Sequence, residues 1–443
     1  MNSLAWIDDF WSRAGPRIFS REEDGVLILP PNRVYRINST AASLIAYLKD
    51  GGKASLFRLP AGGAEKDVAD FFGDLAALYR GEEARNGTVS DAPYDFSFTR
   101  LPVLAEIAVT YRCNNACRFC YAGCGSQGAD AAAERRHELP TRDLERVIDI
   151  FADEARVPFF SFTGGEPLLR NDLERLAAYA KKRALSINLV TNGTLADRSR
   201  AASLAKAGIS SAQVSIEAPD TALHDSLTGR NGAFDQTVAG IAALRDAGIS
   251  TQTNTTITRD NLDVAARMPA FLADLGIERF AMNLFIPTVR TEESDRLFVS
   301  YAEIGAVVDA VAHAARKAGL TFFWYSPTPF GAFNPIARGL GNKSCAAADG
   351  LLSVAPDGSV LPCSSWDESL GNLMQDSFSS IWFSHAAAFY KEKRFAPAAC
   401  RACASFVACQ GACPLYRRYQ GLGDADPSPC ELESPAVLER SLR

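Results

Sequence analysis

The chain has 443 residues, enough at roughly 100 to 200 residues per domain for two to four domains, which excludes a small disulfide-stapled fold. Apolar residues at 47%, charged residues at 22%, 32 glycines and 22 prolines exclude wholesale disorder and collagen-like repetition. A net charge of −6 supplies no basic field for a phosphate backbone, so nucleic acid is not an expected partner.

The start, Met1 to Trp11, carries Asp8 and Asp9 and lacks the basic segment of a secretion signal. No run approaches the roughly 18 consecutive apolar residues of a membrane helix, so a soluble cytoplasmic protein without a membrane partner is expected.

Residues 1–85 read as a small winged-helix-like domain. Arg17 to Arg21 and Val26 to Leu29 flank the turn Glu22-Glu23-Asp24-Gly25, a second turn follows at Pro30 to Arg33, and Val34 to Ile37 makes a third short strand. Asn38, Ser39 and Thr40 offer caps for a helix carrying Leu44, Ile45 and Leu48. Beyond Gly51 and Gly52, the residues Val68, Phe71, Phe72, Leu75 and Leu78 recur at three and four and place a longer helix. The stretch from Gly81 to Pro93 is polar and aperiodic, and a linker is expected over 86–100.

Residues 101–330 alternate strand and helix. Strands are predicted at Leu104 to Val109, Phe159 to Phe162, Ile187 to Val190, Ala212 to Ile216, Thr251 to Ile257 and Arg279 to Phe285. Helical spacing joins Leu144, Val147, Ile148 and Phe151, capped by Thr141, and likewise Phe234, Val238, Ile241 and Leu244. Six such units imply an α/β fold, a parallel sheet with right-handed crossovers curved into a partial (β/α)6 barrel, with functional groups at the strands' C-terminal ends. Residues 340–435 lose this periodicity and are rich in cysteine and turns, as in a metal-organised domain.

Eleven cysteines need explaining, since a reducing compartment disfavours disulfides and an odd number cannot pair fully. Cys113, Cys117, Cys120 and Cys124 form one knot directly after the first barrel strand, and the next cysteine is Cys345. Spacings of three and two let Cys113, Cys117 and Cys120 converge from one loop. Three thiolates on a four-iron four-sulfur cluster leave one iron open to a small molecule, which makes a reactive cluster. A zinc loop closed by Cys124 is the alternative.

The segment Cys113-Asn114-Asn115-Ala116-Cys117-Arg118-Phe119-Cys120-Tyr121, followed on the second strand by Thr163-Gly164-Gly165-Glu166-Pro167, resembles the signatures of the radical S-adenosylmethionine (radical SAM) superfamily. The resemblance implies a radical SAM barrel whose open iron chelates SAM and whose reduced cluster cleaves it to methionine and a 5′-deoxyadenosyl radical. It further implies SAM contacts from Tyr121, Gly164, Gly165 and Glu166, and from Asn192, Ser215, Glu217 and Arg230 near the following strand ends. Gly164 and Gly165 lack a Cβ and so admit close backbone approach to a ligand, while Arg230 suits a carboxylate. Relatives commonly have Asp-Gly where this chain has Glu217-Ala218.

Cys345, Cys363, Cys400, Cys403, Cys409, Cys413 and Cys430 resemble the SPASM domain, a seven-cysteine module holding two auxiliary four-iron four-sulfur clusters. That match assigns Cys345, Cys363 and Cys413 to an inner cluster and Cys400, Cys403, Cys409 and Cys430 to an outer one. Three clusters and SAM are then the cofactors. Two closed clusters need eight ligands and the motif offers seven, so an oxygen supplies the eighth or one iron stays open. Cys124 is left over, a buried free thiol or a hydrogen donor in catalysis. A zinc ribbon and a redox pair at Cys400 and Cys403 are the alternatives.

The first 85 residues, with Val34-Tyr35-Arg36-Ile37-Asn38-Ser39-Thr40, resemble the PqqD-like recognition element of enzymes that mature ribosomally made peptides. Such elements bind a leader peptide as an added strand. The expectation is a peptide maturase whose partners are a precursor peptide with a leader and an electron donor such as flavodoxin or ferredoxin. It abstracts a hydrogen from the core segment and forms a thioether, carbon–carbon or ether crosslink. Sulfatase-maturing-type oxidation, epimerisation, small-molecule cofactor maturation and a non-catalytic iron-sulfur or zinc scaffold are the alternatives. His137, His224, His313 and His385 are dispersed and suggest no triad or metal site.

Overall fold

Leu4, Ile7, Trp11 and Ala14 recur at the spacing of one helical face, and a helix spans Ala5–Ala14 with Ile7 and Ala14 buried. It was not expected from the sequence because Asp8 and Asp9 dominate the segment. Asp8 is used locally, its Oδ1 accepting the Ala54 N–H at 2.8 Å. The computed structural model describes residues 4–29, 33–59, 63–91, 99–124, 138–291 and 293–421, so Cys430 and His137 lie outside the described residues.

The chain divides into two units, Met1–Leu104 with Val157–Phe159, and Ala105–Arg156 with Phe160–Arg443. In the first, β1 (Phe19–Arg21), β2 (Val26–Leu29), β3 (Arg33–Arg36) and β4 (Ser90–Asp91) form an antiparallel sheet in that order. Gly25 closes the expected turn by donating to Glu22 O at 3.2 Å. Asn38 caps the helix Ser39–Lys49, its side chain accepting the Ala41 N–H at 2.8 Å. The helix Glu65–Arg80 buries the predicted face Val68, Phe71, Phe72, Leu75 and Leu78.

The expected linker over 86–100 needs correction where it is described. Buried Asp74 accepts the N–H groups of Arg85, Asn86 and Thr88 and the Thr88 hydroxyl, which folds 85–88 back onto the helix. Val89 joins the core of this unit and β4 pairs with β3. Polar composition here serves an ordered turn.

In the second unit all six predicted strands form: β5 (Leu104–Thr110), β6 (Phe159–Gly164), β7 (Ser186–Thr191), β8 (Ile209–Ser215), β9 (Ser250–Ile257) and β10 (Arg279–Leu284). A seventh, β11 (Thr321–Trp324), follows the helix Tyr301–Ala318 and pairs in parallel with β10. Its four residues are too few to show a period. The sheet order runs β11 to β5 without closing and continues through β12 (Leu351–Val354), β13 (Ser359–Leu361) and β14 (Gly371–Asn372), which are antiparallel to one another. The cysteine-rich region thus extends the same sheet, and Glu106 on β5 accepts the Ser353 hydroxyl on β12 at 2.5 Å. Thr141 is the first residue of the helix Thr141–Asp153, and its hydroxyl donates to Asp172 at 2.6 Å instead of capping. Among the described residues no helix is long and apolar enough to cross a membrane.

The two faces of the sheet differ in chemistry. Ile187, Leu189, Ala212, Val214, Phe280 and Met282 are buried on one face. The alternating residues Asn188, Ser211, Gln213, Gln252, Asn254 and Asn283 are only partly buried and uncharged. They bond across strands, Ser211 to Asn188 at 2.8 Å, Gln252 to Gln213 at 3.1 Å and Asn254 to Asn283 at 2.7 Å.

Candidate functional site

At the end of β5 the register with β6 slips between Ala108 and Thr110, and the chain leaves the sheet into the cysteine loop. The loop is held by main-chain bonds from Ala116 N to Thr228 O at 2.9 Å and Arg118 N to Leu227 O at 3.1 Å. Thr288 and Thr291 donate hydroxyls to the carbonyls of Tyr121, at 3.1 Å, and Cys120, at 3.4 Å. Cys113, Cys117 and Cys120 lie near enough for charge on one thiol to disfavour ionisation of its neighbours.

That mutual placement tests the fit to a cluster. Burial pushes Cys113 up to about 12 and Cys117 well above the ordinary thiol, with neighbouring thiolates adding to both. Three thiolates gathered out of water need a cationic partner, and an iron-sulfur core supplies one. Donors already face the sulfurs, Asn115 N to Cys113 Sγ at 3.4 Å and Cys124 N to Cys120 Sγ at 3.3 Å. Cys120 is drawn down to about 7, first by the hydrogen bond from the Cys124 thiol, while that bond and burial push Cys124 up. Among the described residues no three His, Cys, Asp or Glu side chains stand within reach of a single metal ion.

The glycines after β6 meet the cysteine loop itself. Gly164 has φ +122°, and a Cβ there would sit 2.1 Å from Thr110 O. One on Gly165 would sit 2.2 Å from Arg112 O. Gly165 and Glu166 donate N–H to Thr110 O at 2.7 Å and Arg112 O at 2.8 Å. Their first requirement is contact with the backbone that carries the cysteines.

Glu166 is fully buried, and burial raises its pKa. Its carboxylate accepts the Leu168 N–H at 3.0 Å, the Thr191 hydroxyl at 2.7 Å and the Asn192 N–H at 2.8 Å. It braces the end of β7 and sets Asn192 in place. The Asn192 amide then donates to Asn114 Oδ1 at 2.9 Å and lies 3.9 Å from Cys113 Sγ. Thr194 joins Asn192, Asn114 and Arg230 at 2.8, 2.8 and 3.3 Å. Asn114 and Thr194 had been given no role in the sequence, though Asn114 lies inside the cysteine motif.

Glu217, also buried, accepts the Thr256 N–H at 2.8 Å, and burial lifts its carboxyl to about 8. Its charge bears on Cys117. Ser215 ends β8, level with Asn254 on β9. Tyr121 is held through its carbonyl, and burial raises its hydroxyl. The structure thus gathers Asn192 and Arg230 near Cys113 and sets Glu217 towards Cys117, whereas Glu166 lies beneath as a support.

In the C-terminal region, Cys345, Cys363 and Cys413 share one packed group with Trp366, Tyr390 and Phe395. Burial and the other two thiolates push Cys363 up, and burial and Cys345 push Cys413 up to about 12. Cys403 is exposed and its charge bears on buried Cys409, whose sulfur accepts the Phe330 N–H at 3.5 Å. The fourth expected outer ligand, Cys430, is not among the described residues.

A family model for the radical SAM superfamily matches residues 107–288, and one for SPASM, an iron-sulfur cluster-binding domain, matches residues 345–404. An AdoMet-dependent heme synthase of Nitratidesulfovibrio vulgaris is 30% identical over 297 residues, covering 62% of this chain and 77% of the relative. A PqqA peptide cyclase of Xanthomonas campestris pv. campestris is 29% identical over 362 residues, covering 76% and 90%. The crystal structure of Streptococcus suis SuiB bound to precursor peptide SuiA superposes with a TM-score of 0.68 at 17% identity, covering 94% of this chain and 97% of that one, which is a likeness of fold.

Proposed function

We propose, from the premise that the chain belongs to the radical SAM superfamily, that it is a peptide maturase which crosslinks a residue of a ribosomally made precursor. The radical SAM and SPASM iron-sulfur domains make it an enzyme of SAM-dependent radical chemistry. In this reading Cys113, Cys117 and Cys120 hold the SAM cluster. Cys345, Cys363 and Cys413 hold an inner auxiliary cluster, and Cys400, Cys403, Cys409 and Cys430 an outer one. When bound, the first cluster and SAM supply an adenosyl radical that removes a hydrogen atom. Asn192, Thr194 and Arg230 line the side of the bound cofactor next to Cys113, and Glu217 the side next to Cys117. The unit containing residues 1–85 receives the leader, and a one-electron donor protein reduces the enzyme.

The observation that carries a peptide substrate is the row of amides and hydroxyls on one face of β7 to β10, Asn188, Ser211, Gln213, Gln252, Asn254 and Asn283, with Arg279 at its edge. Amides and hydroxyls match the donors and acceptors of a peptide backbone and of neutral side chains. Similarity to a PqqA peptide cyclase and a fold shared with peptide-bound SuiB support the same reading. Similarity to AdoMet-dependent heme synthase supports a second one, radical chemistry on a tetrapyrrole.

Co-expression with a short precursor reading frame sought in the neighbouring genome sequence, followed by mass spectrometry, tests the proposal. A crosslink removes two hydrogens from the core peptide. An unchanged peptide mass together with oxidation of an added iron coproporphyrin would transfer the protein to the second reading.

A further inference from the structure

Lys393 is one of the least accessible side chains in the protein, with 0% of its surface exposed. A lysine is almost never buried to this degree without a partner. Its Nζ donates to the carbonyl oxygen of Cys345 at 2.8 Å and to Asp349 Oδ2 at 2.9 Å. It follows the helix His385–Lys391 with φ +51°, a left-handed conformation unusual for a side chain of this kind. Tyr390, Phe395 and Ala396 beside it pack in the apolar group that contains Cys345, Cys363 and Cys413. Water is thereby kept from the ammonium, and its field is weakly screened.

We propose that Lys393 is a positioning residue for the inner auxiliary cluster, fixing Cys345 through its carbonyl and keeping one-electron reduction of that cluster more favourable than a neutral side chain would. The inference rests on the reading of Cys345, Cys363 and Cys413 as cluster ligands. Reduction adds one electron and no proton, so the reduced cluster is the more negative state and a fixed cation at a ligand stabilises it. Asp349 opposes this, but its side chain is 12% exposed whereas that of Lys393 is 0% exposed, so water screens the anion better.

The two members of the pair have opposite expected effects, which a purely structural role does not produce. The experiment uses the full-length protein, reconstituted anaerobically with iron and sulfide and titrated with dithionite under electron paramagnetic resonance. In Lys393→Met the midpoint of one auxiliary signal falls by at least a tenfold change in the reduction equilibrium, about 59 mV for a one-electron couple. In Asp349→Asn the same signal rises, Lys393→Arg stays near the parent, and the signal that changes on adding SAM does not move. If the parent protein reconstitutes only the SAM-responsive cluster, the ligand reading fails and the inference with it. If the auxiliary signals are present and the two variants leave them unmoved, or shift them in one direction, the ligand reading stands and the role of Lys393 is overturned. Should Lys393→Met fail to fold, Asp349→Asn decides alone, and an unmoved or lowered midpoint overturns the inference.

Discussion

Arg118, between Cys117 and Cys120, and Glu293, 175 residues further along the chain, form a two-pronged ion pair with N–O distances of 3.0 and 2.6 Å. Arg118 also reaches Asp260 at 3.0 Å, and Arg296 bonds both acids at 2.6 and 2.8 Å. The cysteine loop is thus clamped to the segment after β10 by a planar fork that lysine could not reproduce. Arg118→Ala is expected to lose about 1–2 kcal/mol of stability, between the values for exposed and buried pairs. It should also release iron from the SAM-responsive cluster first. Thermal melting and timed iron release under a chelator check both. Unchanged release would show that the clamp does not hold the loop.

Gly165 has no room for a side chain, since its Cβ would stand 2.2 Å from Arg112 O and 2.9 Å from Tyr111 O. These atoms belong to the backbone of Tyr111 and Arg112, which cannot rotate away as a side chain can. Gly165→Ala should destabilise the second unit by about 3 kcal/mol or more, through displacement of the loop that carries the cysteines. Denaturant titration checks this, and a variant within experimental error of the parent would contradict the packing described.

The part of the site legible in the sequence is the part written as local spacing. Cys113, Cys117 and Cys120 stand out as candidate ligands because their spacing lies within one loop, and the six strands because their burial repeats. Lys393 and Arg118 did not, because their roles depend on Cys345 and Glu293, 48 and 175 residues away. The first helix was missed because two adjacent aspartates outweigh an apolar face of only four residues. Polarity misled over 86–88 as well, where Asp74 supplies the hydrogen bonds that a solvated segment would take from water.

Glu217 and His224 are neighbours, the Glu217 N–H donating to His224 Nδ1 at 3.2 Å, and burial disfavours charge on both. Burial raises Glu217 from 4.5 to about 8 and lowers His224 from 6.5 to about 4. A raised acid gives stability that is complete below its unfolded value and lost as pH rises through the folded one. A lowered histidine gives stability present above its unfolded value and lost as pH falls through the folded one. Between 4.5 and 6.5 the two trends oppose each other, so the Glu217 contribution stands alone from 6.5 to 8. There the parent should lose up to about 1.4 kcal/mol per pH unit relative to Glu217→Gln. Parallel melting curves of the two proteins across that window would contradict a buried neutral carboxyl.

On the proposed ligand assignment, three four-iron clusters would give about twelve iron atoms per chain. Cys113→Ala, Cys117→Ala and Cys120→Ala should each retain about eight and form no 5′-deoxyadenosine from SAM and dithionite, whereas Cys124→Ala should keep about twelve. Iron analysis with product chromatography distinguishes these outcomes. Loss of a full cluster in Cys124→Ala would make that thiol a ligand instead of a hydrogen-bonding neighbour of Cys120.

The amide-lined face of β8 and β9 gives the sharpest separation of chemistry from recognition. Gln213 and Gln252 lie opposite each other on β8 and β9, and Gln252 reaches the Tyr325 hydroxyl at 3.4 Å. Neither contacts the cysteine loop in the hydrogen bonds described, so replacing both with leucine removes amides from the substrate surface and leaves the cluster site intact. With SAM and dithionite alone, the double variant should form 5′-deoxyadenosine at the parent rate. With the precursor peptide, dehydrogenated product should fall at least tenfold, since removing hydrogen bonds to a neutral partner costs about 0.5–1.5 kcal/mol each and misplaces the reacting carbon as well. Equal loss of both products would mean that these glutamines support the cofactor site. Loss of neither would place the peptide away from this face, and with it the observation on which a peptide substrate rests.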